Sequence, residues 1–168
     1  IESGVALSND GTAVVAVDGI STVSGQLSAE DVDAGAVLKW SIDYSPSTTY
    51  GTISINPDSG QWTYSLDNSL AATQALKEGE SVTERYTARV TDANGAFVDQ
   101  TVTITVTGSN DAPVAVDDSQ TTGENSLLES SVPTATDVDG SIASYSLVTG
   151  LGDNNGSLTF NPDGSYSF

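Results

Sequence analysis

The chain repeats itself, and the repeat limits what it can fold into. Asp31-Val32-Asp33 recurs as Asp137-Val138-Asp139, 106 positions later. Gly51-Thr52-Ile53-Ser54-Ile55-Asn56-Pro57-Asp58 recurs as Gly156-Ser157-Leu158-Thr159-Phe160-Asn161-Pro162-Asp163, 105 positions later. Trp62, Tyr64 and Leu66 of the first copy find partners in Tyr166 and Phe168 of the second. Two features that keep nearly one spacing mark two tandem units of a single type, and such units stack into rods. The first unit is expected over residues 1–109, a linker over 110–113 and the second unit over 114–168. The second stops before any counterpart of Tyr86 to Val106, so it is expected to be incomplete at its C-terminal end. The chain begins and ends mid-pattern and reads as a piece of a longer one.

Within each unit the apolar residues alternate. Val102, Ile104 and Val106 face one way, and Thr101, Thr103, Thr105 and Thr107 the other. Period two with β-branched side chains predicts a strand with one buried face. Gly108 ends that strand. Pro113 removes a donor and extends Ala112, making a stiff connector, and Val114 and Val116 then resume the alternation as the next unit's first strand. The same pattern places Leu38, Trp40 and Ile42 on one strand, Ile53 and Ile55 on another, and Tyr86, Ala88 and Val90 on a third. Asn56-Pro57-Asp58-Ser59-Gly60 is a hairpin turn that brings Trp62, Tyr64 and Leu66 opposite Ile53 and Ile55. Residues 1–19 read as a further hairpin, 28–35 as an acidic loop, and 67–75 as a short helix capped by Asp67 or Asn68. About seven short strands in the first unit, with the repeat of their pattern in the second, make an all-β chain of β-sandwiches.

Charge narrows the function. Four Lys and Arg stand against 23 Asp and Glu, a formal net charge of −19. Such a chain is repelled by nucleic acid and by anionic membrane, so neither is an expected partner, and no apolar run is long enough to span a bilayer. There is no Cys and no His. Their absence excludes disulfides, thiolate metal sites and His-based nucleophilic catalysis, and no enzyme is expected. What remains for so many carboxylates is solvation in salty surroundings or the binding of hard cations through oxygen.

The run from Gly51 to Val114, GTISINPDSGQWTYSLDNSLAATQALKEGESVTERYTARVTDANGAFVDQTVTITVTGSNDAPV, resembles a VCBS repeat. VCBS repeats are cadherin-like modules of giant bacterial RTX-type surface adhesins, and the resemblance extends over roughly residues 23–113. The stretch from NDAPVAVDD through ATDVDG to NPDGSYSF resembles a related cadherin-like adhesin repeat. The resemblance implies two tandem cadherin-like (Ig-like) β-sandwiches forming a calcium-stiffened spacer, secreted or held at the bacterial cell surface, that supports cell adhesion or biofilm formation. Its partners would be neighbouring repeats of the same chain, with a host or surface ligand reached through other domains. In cadherin-type junctions Ca2+ is drawn from three places, matched here by Asn110 and Asp111 in the linker, Asp137 and Asp139 in the next unit's loop, and Glu78 and Glu80 in the preceding unit. Glu124 falls at an acidic position of the second unit. Asp31, Asp33 and Asp92 form the first unit's own set. The cadherin Asp-Arg-Glu triplet is not present.

The residue chemistry points the same way. Calcium takes ~6–8 oxygen ligands in a flexible shell, and Asp at alternate positions of a tight loop supplies two carboxylates. Neither Asp-Val-Asp loop continues into the third ligand, glycine and closing Glu of an EF-hand. A rival reading makes the second unit the first half of a split domain carrying an inserted carbohydrate- or peptide-binding module. Glycoside hydrolysis would need two carboxylates across a cleft, and nothing in the sequence marks a cleft. Trp40 and Trp62 lie at alternating strand positions and are expected in the core rather than on a sugar-binding face.

Overall fold

The computed structural model describes residues 6–8, 12–16, 21–33, 35–45, 50–151 and 156–168. They form two compact units, Ile1–Asn110 and Asp111–Phe168. Among the described residues the structure is all-β apart from one helical turn.

Unit 1 holds strands β1 (Ala6–Ser8), β2 (Thr12–Ala16), β3 (Thr22–Gln26), β4 (Ser28–Glu30), β5 (Lys39–Tyr44), β6 (Gly51–Ile55) and β7 (Gln61–Leu66), then helix α1 (Ala71–Gln74), then β8 (Ser81–Thr91) and β9 (Phe97–Thr107). One sheet runs β2-β9-β8-β5, the other β3-β7-β6, and β1 pairs with β4. The long β8–β9 ladder is antiparallel over eleven residue pairs, from Ser81↔Thr107 to Thr91↔Phe97. Between the sheets lie Trp40, Trp62, Tyr64, Leu66, Tyr86, Ala88, Val90, Val102, Ile104 and Val106, all buried. The expected strand faces are therefore the observed ones, and both tryptophans are core residues. Gly25 lies under the Trp62 ring, where a Cβ would stand 2.5 Å from the indole.

The structure corrects four local expectations. Residues 1–19 do not form a hairpin: β1 pairs with β4, and β2 crosses over to lie parallel to β9. The turn expected between them, at residues 9–11, lies outside the described residues. The supposed loop at 28–35 begins with a strand, β4, because β1 offers it a ladder partner. Helix α1 has Leu70 at its N-cap with no side-chain bond. Asp67 instead accepts the Ser69 N–H (2.9 Å) and hydroxyl (2.6 Å), closing a turn before the helix. Finally, the expected first strand of unit 2 reduces to a single antiparallel bridge, Val114↔Thr136, with Val114 and Val116 exposed.

Unit 2 contains one three-stranded sheet of β10 (Glu129–Ser131), β12 (Ser165–Ser167) and β11 (Thr159–Phe160), in the order β10-β12-β11. Its shorter ladders follow the register of β3-β7-β6. Phe160 pairs with Tyr166 as Ile55 pairs with Trp62, and Ser130 stands opposite Tyr166 as Gly25 stands opposite Trp62. Val132 N–H donates to Gly164 O (2.9 Å) as Leu27 N–H donates to Gly60 O (3.1 Å). Tyr145 N–H donates to Pro162 O as Trp40 N–H donates to Pro57 O, both at 2.9 Å. The turn glycines Gly60 and Gly164 share a left-handed backbone, at φ 73° and 87°, which other residues adopt at a cost. Among the described residues of unit 2 there is no counterpart of the β2-β9-β8-β5 sheet.

Candidate metal centre

The bridge at Val114 positions the acidic residues of unit 2. In an antiparallel pair, a residue three before Val114 lies opposite one three after Thr136, and these are Asp111 and Asp139. The Asp111 N–H accordingly points at the Asp139 carboxylate, 3.4 Å from each oxygen. Asp139 is only 6% exposed, and Asp111 Oδ2 is buried. Asp137 closes the loop, its Oδ1 accepting the N–H groups of Asp139 (3.3 Å) and Gly140 (2.8 Å). The unit has no Lys or Arg to balance these charges. A carboxylate removed from water without a cationic partner is costly, and two long hydrogen bonds offset little of that cost.

The other candidates are dispersed. Asp31 Oδ1 accepts the Asp33 N–H (2.9 Å), and Asp92 Oδ1 accepts those of Asn94 (2.9 Å) and Ala96 (2.7 Å), so each serves its own turn. Glu78 and Glu80 are exposed between α1 and β8. The Glu80 carbonyl accepts the Gly108 N–H (2.8 Å), which brings their loop to the end of β9 and near the exposed Asn110. Glu124 lies in an exposed turn beside Asn125, whose φ is 59°. Among the described residues no group of three or more acidic side chains is gathered tightly enough to hold a metal ion. The donor chemistry of Asp111, Asp137 and Asp139 fits a hard cation. The complete shell would also need Asp137 to turn away from its loop amides and water or carbonyl oxygens to fill the remaining positions.

Sequence reasoning passed over one buried carboxylate. Glu84 is 6% exposed and faces the core of unit 1, where the Tyr64 hydroxyl donates to its Oε2. Burial first, and then the Glu84 carboxylate, raise the Tyr64 hydroxyl far above its ordinary value. Burial and the same charge raise that of Tyr86. The signal was available: Glu84 is in phase with Tyr86, Ala88 and Val90.

Residues 4–108 match the family model of the bacterial cadherin-like domain, and residues 110–168 that of a bacterial Ig domain. No curated protein matches the chain. Solved structures do. The chain is 19% identical to protocadherin gamma B7 extracellular cadherin domains 1-4 (TM-score 0.52), covering 99% of this chain and 40% of that one. It is 13% identical to human CDH23 EC21-23 (TM-score 0.53; 98% and 53% covered). It is 15% identical to PcdhgB3 EC1-4 (TM-score 0.55; 99% and 40% covered). The chain thus spans about half or less of each, and the likeness is one of fold. With more than half of its length matched, the chain belongs to the bacterial cadherin-like domain family.

Proposed function

We propose that this cadherin-like module is a calcium-stiffened spacer segment of a giant secreted bacterial adhesin of the VCBS and RTX type, serving cell adhesion or biofilm formation. The observation that carries the reading is Asp139, a nearly buried carboxylate facing the Asp111 N–H in a unit with no basic side chain. Calcium supplies the missing positive charge and, through oxygen ligands alone, ties the loop to the segment that leads into the unit. Asn110, Glu78 and Glu80, with Glu124 and the first unit's Asp31, Asp33 and Asp92, are the further ligands proposed for an array of neighbouring repeats. The role is structural rather than enzymatic, and ligands outside the array are contacted by other domains.

Calorimetric titration tests it. Calcium is expected to bind with a dissociation constant of ~10⁻⁴–10⁻³ M, the range of extracellular modules. Asp139→Asn should weaken binding at least tenfold while leaving unit 1 melting unchanged. Heats no larger than those of matched sodium chloride, in wild type and variant alike, would contradict the proposal.

A further inference from the structure

The β8–β9 hairpin of unit 1 is closed by Asp92-Ala93-Asn94-Gly95-Ala96. The Asp92 N–H donates to Ala96 O (2.9 Å), and Asp92 Oδ1 accepts the N–H groups of Asn94 (2.9 Å) and Ala96 (2.7 Å). Between these anchored amides Gly95 is held loosely. Its N–H reaches Asp92 O over 3.3 Å, beyond the usual range for such a bond. Its φ is 88°, and a Cβ built on it would meet nothing within 4 Å. Asn94 is exposed. The tip therefore sets a side-chain amide beside an unhindered, weakly bonded backbone nitrogen.

The other asparagines of the described residues are worse placed for a reaction between those two groups. Asn56 and Asn161 precede Pro57 and Pro162, whose nitrogens carry no proton. Asn68 precedes Ser69, whose N–H donates to Asp67 (2.9 Å), and Asn125 precedes Ser126, whose N–H donates to Gly123 O (3.1 Å). Asn110 precedes Asp111, whose N–H faces the Asp139 carboxylate. Ser69, Ser126 and Asp111 also carry side chains that crowd an attack, and Gly95 carries none. Asn155 precedes Gly156 but lies outside the described residues.

We propose that Asn94 is a self-modification site, at which the Gly95 nitrogen attacks the Asn94 side chain and the isoaspartyl product releases the end of the β8–β9 hairpin. The Gly95 nitrogen gives its proton to water and bonds to Asn94 Cγ. The Cγ–Nδ2 bond breaks, and ammonia leaves with the proton. Water then opens the resulting succinimide at either carbonyl. Opening at Cγ gives an aspartyl residue on an ordinary backbone. Opening at the main-chain carbonyl gives an isoaspartyl residue, in which the backbone runs through Cγ. The net change consumes water, releases ammonia and needs no oxidant or enzyme. The isoaspartyl link adds a methylene between positions 94 and 95. The bonds from the Asp92 N–H to Ala96 O and from the Ala96 N–H to Asp92 Oδ1 both span that link, so the lengthened turn loses them. The aspartyl product keeps the turn and adds one negative charge beside Asp92.

The test incubates the full chain in mildly alkaline buffer, which favours loss of the amide proton. Peptide mapping with electron-transfer fragmentation reads each asparagine separately and distinguishes the two products. Asn94 should show the amide-to-acid mass shift ahead of Asn68, Asn110 and Asn125. Asn94→Gln, whose extra methylene disfavours ring closure, should show none at that position. In the isoaspartyl fraction, amide exchange read by NMR should speed up at Asp92 and Ala96 by about tenfold, the factor for losing roughly one hydrogen bond. Asn94→Asp, which carries the charge on an ordinary backbone, should leave both amides unchanged. Three results would overturn the proposal: a mass shift at Asn94 no earlier than at Asn125, an isoaspartyl fraction with unchanged exchange at Asp92 and Ala96, or the same acceleration in Asn94→Asp.

Discussion

Units 1 and 2 share one hairpin, one register and one pair of turn glycines, yet one buries a two-sheet core and the other presents a single sheet. The difference lies in β8 and β9. These strands form the centre of the β2-β9-β8-β5 sheet, so β2 and β5 have ladder partners only while they are present. Among the described residues of unit 2, 115–127 and 144–149 form no strand. By contrast, the β11–β12 hairpin forms from local pairing and a tight turn, the cheapest contacts in loop entropy, and β10 joins it from far earlier in the chain. β2 and β5 thus take their ladders from β9 and β8, elements far along the chain, and context of this kind weighs heavily in strand formation.

Paired substitutions sharpen the comparison most. Trp62→Ala should cost unit 1 about 3–5 kcal/mol, the range for emptying a packed aromatic site. Its counterpart Tyr166→Ala, in a half-covered groove, should cost about 1 kcal/mol, since little cavity is created. Chemical denaturation with exchange measured on each unit separates the two, and equal losses would break the contrast. Next is Tyr64→Phe, which installs in unit 1 the residue that unit 2 has at Phe168. It should cost about 2–3 kcal/mol by stranding the Glu84 carboxylate, and Tyr64→Phe with Glu84→Leu should recover most of the loss. A double variant no more stable than the single would show that Glu84 is not satisfied through Tyr64.

Alkaline pH should act on the same cluster. Tyr64 and Tyr86 have folded values raised above the ordinary 10.0. Their contribution to stability is complete below pH 10 and is lost as pH rises above it towards the folded values, because the unfolded state releases those protons first. Unit 1 should lose stability on that limb, and Tyr64→Phe/Glu84→Leu should flatten it. Acid should produce a smaller effect in both units. Hydrogen bonds from Ser69 and Ser165 lower Asp67 and Asp163, so their stabilisation is present above the ordinary carboxylate range and is lost as pH falls through it. The smallest effect expected is from Arg89→Met. Arg89 makes a two-pronged exposed pair with Asp99 (2.7 and 2.8 Å) and lies 3.9 Å above the Phe97 ring, and its loss should change stability by only about 0.2–1 kcal/mol.

Much of this plan was legible in the sequence. Alternation identified the buried faces of β7, β8 and β9, and the repeat foretold that Phe160 and Tyr166 would stand as Ile55 and Trp62 do. Pairing partners were harder to read. Val5, Leu7, Val14 and Val15 around an Asn-Asp-Gly turn suggest a hairpin, but β1 and β2 belong to different ladders, and ladder choice depends on residues some 90 positions away. Asp111, Asp137 and Asp139 were picked out by spacing, and the Val114↔Thr136 bridge then set Asp111 against Asp139. That Asp139 would be buried while Asp33 of the matching motif is exposed could not be read from two identical tripeptides.

Small-angle scattering of the full chain in calcium and in EGTA at matched ionic strength tests the spacer reading most directly. Calcium should reduce flexibility and fix the maximum dimension in wild type, and Asp111→Ala or Asp139→Asn should abolish the change while both units keep their folded spectra. Superimposable curves with and without calcium, or an identical response from the variants, would contradict a calcium-stiffened spacer held by Asp111, Asp137 and Asp139.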